Sequence, residues 1–130
     1  MGPTISQLNY SYKKPDANVW VLNLDDIPIA KSKINDQQIV HLAPLSVGGN
    51  HKHPRTEWFI GIGELYFVWL DADGQLHEEP MHPDGQILLF EVPPFLPHAV
   101  ANKSGDRVGM LFEMADGKME KVEPVKVYQL

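Results

Sequence analysis

The sequence predicts an all-β fold in one domain, an antiparallel sandwich or barrel. Three observations carry that prediction. Short apolar or alternating runs recur, separated by turn signals about every eight to twelve residues. No stretch repeats its apolar residues with helical period. No linker or internal repeat divides the chain. With 130 residues, 43% of them hydrophobic, the chain is long enough to bury roughly two-thirds of its unfolded surface in a single core.

Taken in order, residues 1–16 are polar and include Lys13-Lys14-Pro15-Asp16, which reads as an N-terminal arm or loop ahead of a barrel over residues 17–130. Ala17 to Leu24 is the first clear strand. Its nearly continuous run of Val19, Trp20, Val21, Leu22 and Leu24 implies burial on both faces, and Asp25-Asp26-Ile27-Pro28 ends it. A second strand, Gln38 to Leu45, sets Ile39, His41, Ala43 and Leu45 on one face and Val40, Leu42 and Pro44 on the other. Ser46-Val47-Gly48-Gly49 then turns into a histidine-rich stretch. Beyond it, Gly61-Ile62-Gly63-Glu64 permits a reversal between Trp58–Gly61 and Leu65–Leu70, read as a hairpin. Asp71-Ala72-Asp73-Gly74 and His82-Pro83-Asp84-Gly85 flank a polar strand, Gln75 to Met81. The apolar strand Gln86 to Val92, a proline-rich run, His98 to Asn102, a turn at Lys103–Asp106 and the strand Arg107 to Met114 follow, with Val125 to Leu130 as a closing edge strand.

Composition excludes several functions. The chain has no cysteine, hence no disulfide, zinc–thiolate cluster or thiol nucleophile. A formal charge of -6 and a pI near 5.4 argue against nucleic acid as a partner, since little here would release counterions along a phosphate backbone. No apolar run is long enough to cross a bilayer, and the N-terminus lacks a basic region followed by a hydrophobic one, so no membrane partner and a cytoplasmic location are expected.

The chemistry concentrates in Asn50-His51-Lys52-His53-Pro54-Arg55-Thr56-Glu57. In an extended strand, side chains two apart share a face, so His51 and His53 project together, and Glu57 keeps that parity past a short break. A fourth donor, His98, follows the stiff run Val92-Pro93-Pro94-Phe95-Leu96-Pro97. Imidazoles with a carboxylate suit one divalent transition metal (Zn, Fe, Mn, Ni or Cu) better than calcium or magnesium, which prefer oxygen shells.

The spacing His51-x-His53-x3-Glu57-x5-Gly63 resembles the first motif of the cupin superfamily, and Gly85-x7-Pro93-x4-His98-x3-Asn102 resembles the second. The resemblance implies a small jelly-roll barrel with His51, His53, Glu57 and His98 as metal ligands, often in a homodimer. Three departures stand out. Leu45 lies six residues before the first histidine, where the family usually has Gly. Phe95 lies two after the motif-two proline, again in place of Gly, so that turn must avoid positive φ or bear strain. The interval from Glu57 to Gly63 is one residue short. Within the superfamily, the wording of these loops is similar to the cupin modules of bacterial capsular-polysaccharide and nucleotide-sugar epimerases.

Three neutral imidazoles and one carboxylate leave a divalent ion with net positive charge and open positions. On the first reading the small-molecule substrate is a keto sugar, nucleotide-linked or not, isomerised or epimerised through a metal-stabilised enediolate. His41 is then the candidate general base, against the alternative of a histidine half-buried on backbone. Arg55, Phe95 and Asn102 are the candidate substrate-pocket residues. A second reading is an Fe(II) dioxygenase with an aromatic pocket, and a third a non-catalytic metal-dependent sugar-binding or sensor module. Trp58, Trp69 and Tyr66 fill either the core or a dimer interface.

Overall fold

The computed structural model describes residues 1–130. Its strands are β1 (Thr4–Leu8), β2 (Tyr12–Lys14), β3 (Val19–Val21), β4 (Asp36–Leu42), β5 (Val47–Lys52), β6 (Glu57–Ile62), β7 (Leu65–Leu70), β8 (Leu76–Pro80), β9 (Ile87–Val92), β10 (His98–Asn102), β11 (Gly109–Ala115) and β12 (Glu123–Pro124). Ten of them form two five-stranded sheets, in the orders β1-β9-β6-β11-β4 and β12-β5-β10-β7-β8, with every pairing antiparallel. No helix is long and apolar enough to cross a membrane.

Between the sheets lies a core of Leu42, Phe59, Leu65, Phe67, Phe90, Val92, Val100 and Leu111, joined by Met81 and Leu96. Phe67 and Phe90 are wholly buried, with ring centroids 5.4 Å apart. The alternate residues of β6 and β9, Trp58, Ile60, Ile87 and Leu89, form a second cluster with Ile27 and Met114 on the outer face of the first sheet. Residues 22–34 supply its cover through Leu22, Ile27, Ile29 and Ile34. On the outer face of the second sheet, Val68, Ala99 and Ala101 are covered by Val127. Strands apolar on both faces are thus capped by the chain itself. Trp58 is 4% exposed under that cover and donates its indole N–H to Glu91 Oε1 at 2.8 Å, so of the two places open to it, core or dimer interface, packing within the chain is enough to bury it.

Several expectations need correction. Within residues 1–16, read as an arm or loop, Thr4–Leu8 is a strand pairing with Glu91–Ile87 at the edge of the first sheet. The run Ala17–Leu24 contributes only Val19–Val21, paired with Tyr12–Lys14 in a small separate hairpin. Val19 and Trp20 are exposed there, because no second layer faces them. The reversal at Gly61–Glu64 is not a hairpin: β6 pairs with β9 and β11, and β7 with β10 and β8, so the chain crosses between sheets at Gly63, where φ is 107°. The final edge strand is the short β12, and residues 125–128 run over the sheet instead of extending it.

Candidate metal centre

β5, β6 and β10 deliver the four donors to one end of the barrel. His51 is at the end of β5 with His53 just beyond it, Glu57 opens β6, and His98 opens β10, directly opposite His51. One ring nitrogen from each of His51, His53 and His98 falls within 4.8 Å of the others. The three rings meet edge to face, with centroids 4.8, 5.0 and 5.2 Å apart. Glu57 Oε1 lies 3.0 Å from His53 Nε2 and 3.2 Å from His98 Nε2. These approaches are close but lack hydrogen-bond direction. His53 Nδ1 and Nε2, Glu57 Oε1 and His98 Nε2 are all buried without a hydrogen-bond partner. Orphaned buried polar atoms are rare and costly in folded proteins. Their convergence fits a divalent cation, which would take lone pairs from imidazole and carboxylate together.

Neighbouring groups prepare these donors. The Leu96 carbonyl, 2.8 Å from His98 Nδ1, can only accept, so Nδ1 carries the proton and Nε2 presents a bare lone pair to the site. Burial, then the charges of His98 and His53, lowers the His51 pKa to about 4, leaving it neutral and able to ligate at neutral pH. Burial alone would raise the Glu57 pKa, but polar contacts from His53, His98 and Glu113 outweigh it and hold the carboxyl well below the usual range. Burial, followed by the hydrogen bond and charge of Glu57, pushes Glu113 up to about 8. Of this pair, Glu57 therefore carries the charge and Glu113 the proton near neutrality.

Arg55 stands behind the site, not in the substrate pocket expected for it. It is 4% exposed. Its Nε and Nη2 donate to Glu57 Oε2 at 3.0 and 2.6 Å, which leaves Oε1 turned toward the histidines. The same guanidinium donates to Glu113 at 2.8 Å, to Asp36 at 2.9 Å and to the Gly117 carbonyl at 2.9 Å. Burial opposes its charge, and the carboxylates around it more than restore it.

A cavity of about 70 Å³ adjoins the donors. Val40, Leu42, Phe59, Val100, Leu111 and Met119 form its apolar wall, and His51, Glu57, His98 and Glu113 its polar one. His41 is not among them: adjacent Leu42 points in, so His41 is on the outer face and exposed, which removes it as a general base. Asn102 is also elsewhere. Wholly buried, its Nδ2 donates to the carbonyls of Leu42, Ala43 and Arg107 and its Oδ1 accepts from the Ser104 N–H. It is a latch between loops. Phe95 is 54% exposed and does not line the cavity, but its N–H donates to the His53 carbonyl at 2.9 Å. Its φ is 66° and that of Leu45 is 57°, so both non-glycine departures bear the left-handed conformation. The residue missed from sequence is Glu113, whose signal was a lone carboxylate in the apolar run Gly109–Ala115.

No protein-family model matches the chain, and no curated protein matches it. Solved structures do. A dTDP sugar isomerase from Desulfovibrio desulfuricans superposes with a TM-score of 0.75 at 18% identity, over 95% of this chain and 83% of that one. A TDP-fucose-3,4-ketoisomerase from Campylobacter jejuni gives 0.63 at 14% identity, over 93% and 86%. A capsular polysaccharide assembling protein from Staphylococcus aureus gives 0.62 at 16% identity, over 71% of this chain but only 28% of its own length. Likeness at these identities speaks for architecture, and the architecture of two facing antiparallel sheets, with its ordered histidine motifs, is the cupin fold.

Proposed function

We propose that the protein binds one divalent transition metal through His51, His53, Glu57 and His98 and isomerises or epimerises a keto sugar whose reacting carbons enter the adjoining cavity. The observation that carries this reading is the convergence of partnerless buried donor atoms on one point beside a cavity. The sugar substrate draws support from the nucleotide-sugar isomerases among the similar structures. The cavity, about 70 Å³, is well under the roughly 300–1,000 Å³ of pockets that enclose a whole ligand. Only the reacting end of a sugar fits inside, and any nucleotide lies at the mouth. When bound, the metal supplies Lewis-acid polarisation of a carbonyl. Arg55 fixes the orientation of Glu57, and the apolar wall excludes water from the reacting carbons. Glu113 takes the role assigned to His41: it is the ionisable side chain on the cavity wall outside the ligand set, and with its pKa pushed up to about 8 the ionised fraction takes a proton from the carbon beside the carbonyl and the protonated form so made returns it.

Metal analysis of protein purified without an affinity metal tests the first half. Near-stoichiometric zinc, nickel or manganese is expected in the wild type, and loss of it in His51→Ala/His98→Ala. Deuterium exchange at carbon in a dTDP-linked keto sugar, followed by NMR, tests the second half. Glu113→Gln is expected to keep the metal and lose the exchange. A wild type as metal-free as the double variant after reconstitution would sink the reading at its root. The apolar wall with Phe59 favours one rival, an iron-dependent oxygenase of a small organic substrate. Stoichiometric iron with oxygen consumption, and no deuterium exchange, would put that rival in its place.

A further inference from the structure

The strand that carries His51 and leads into His53 is irregular beside them. β5 and β10 pair Val47 with Ala101, Gly48 with Val100 and Gly49 with Ala99, but then His51 with His98, so Asn50 is an extra, unpaired residue. Opposed residues in an antiparallel pair point to the same side. Val100 and His98 both line the cavity. Continued without a bulge, the ladder would set Asn50 opposite His98 and turn Asn50 and Lys52 inward. The bulge sets His51 there instead, and His53 follows two residues on. The backbone is committed to this path. Asn50 has φ 56°, and Gly49, at φ 92°, lies so near β10 that an added Cβ would meet Ala99 Cα and the His98 carbonyl oxygen at 3.1 Å.

Asn50 is also the point where the C-terminal segment is held. Its Oδ1 accepts the N–H groups of Val127 at 3.1 Å and Tyr128 at 2.9 Å, and its carbonyl accepts that of Val125 at 2.9 Å. Pro124 and Glu123 pair with His51 and Lys52. The segment is anchored in turn by Val127, buried against Val68, Ala99 and Ala101, and by the Lys103 ammonium 5.6 Å from the Tyr128 ring centroid. We infer that Asn50 is a positioning residue: its side chain and the segment Glu123–Tyr128 lock the bulge that turns His51 and His53 into the site. The consequence for metal rests on the function proposed above, whereas the histidine geometry stands without it.

The test uses the full chain with Asn50→Gly, which keeps access to positive φ but removes the acceptor, and Asn50→Asp, which keeps both. One readout is the nuclear Overhauser effect between the ring protons of His51 and His98 in metal-free protein, since the ring centroids are 5.0 Å apart. The other is zinc affinity by chelator competition. Asn50→Asp is expected to match the wild type in both. Asn50→Gly should lose the cross-strand effect and bind zinc about 10–100-fold more weakly, the range seen when groups that orient ligands are removed. If Asn50→Gly keeps the ring contact and the affinity and merely melts earlier, the segment is structural and the inference is overturned. Should Asn50→Gly fail to fold, Tyr128→Pro decides, because it deletes one of the two donors and leaves Asn50 intact. A wild type that binds no zinc would refute the metal reading, and the ring contact would still decide this one.

Discussion

Replacing Arg55 by Met probes how the site is supported. The guanidinium makes five hydrogen bonds, two of them to Glu57 and one each to Glu113, Asp36 and a carbonyl, from a position 4% exposed to solvent. Methionine fills much of the same volume but leaves the Glu57 carboxylate, itself 0% exposed, without its cation. Breaking a buried pair by removing one partner costs about 3–5 kcal/mol, because an uncompensated charge stays behind. For a chain of this size the entropy of unfolding is about 0.27 kcal/mol/K, so that loss lowers Tm by about 11–18 °C.

Thermal unfolding by circular dichroism in EDTA measures it. Adding Glu57→Gln to Arg55→Met removes the stranded charge and should recover about 0.5–3 kcal/mol, the size of coupling seen between directly contacting residues. Saturating zinc should also shrink the loss, because a cation beside Oε1 then balances the carboxylate. An Arg55→Met protein melting within about 3 °C of wild type, which is under 1 kcal/mol by the same conversion, would refute the view that Arg55 neutralises Glu57. So would a double variant that melts at or below Arg55→Met.

Phe95→Gly relieves a left-handed residue that costs about 1–2 kcal/mol against about 0.5–1 kcal/mol of glycine entropy. With the ring 54% exposed, little burial is lost, and urea unfolding should show a gain of up to about 1.5 kcal/mol; a clear loss would mean that the ring packs for a purpose. His41→Ala, on the outer face, is expected to leave metal content and turnover at wild-type values, and a fall in either would return His41 to the mechanism.

The fold class and the grouping of His51 with His53 could be read from the chain because both rest on short-range regularities: alternation, turn residues, and donors two positions apart; His98, far along the chain, joined them only through the resemblance of the two motifs. What could not be read depended on distant partners. Gly61-Ile62-Gly63-Glu64 permits a reversal whether the next strand pairs with the last or crosses to the other sheet, and only the pairing of β6 with β9 and β11 decides it. Arg55 reads as a substrate-pocket residue because charged residues are seldom buried without partners. Beside nearby Glu57, its carboxylate partners are Asp36 and Glu113, 19 and 58 residues away in sequence. Ala17–Leu24 looked like a core strand from its composition, but nothing local reveals that no second layer covers Val19 and Trp20.

His41 and the histidine pair show the same limit from two sides. Alternation correctly groups Ile39 with His41 and His51 with His53, yet it cannot tell which group faces in. For β4 the answer comes from Leu42, which packs in the core between the sheets and so turns His41 out. For β5 regular alternation from Gly48, opposite core residue Val100, would give the wrong answer, placing Asn50 and Lys52 in the site. One inserted residue reverses the assignment. The signal for it was present as Gly49-Asn50, two residues that accept positive φ in succession, directly before the first histidine. Read as a bulge and not as the end of a turn, that dipeptide fixes the register of the donors, and with it the face on which chemistry can occur.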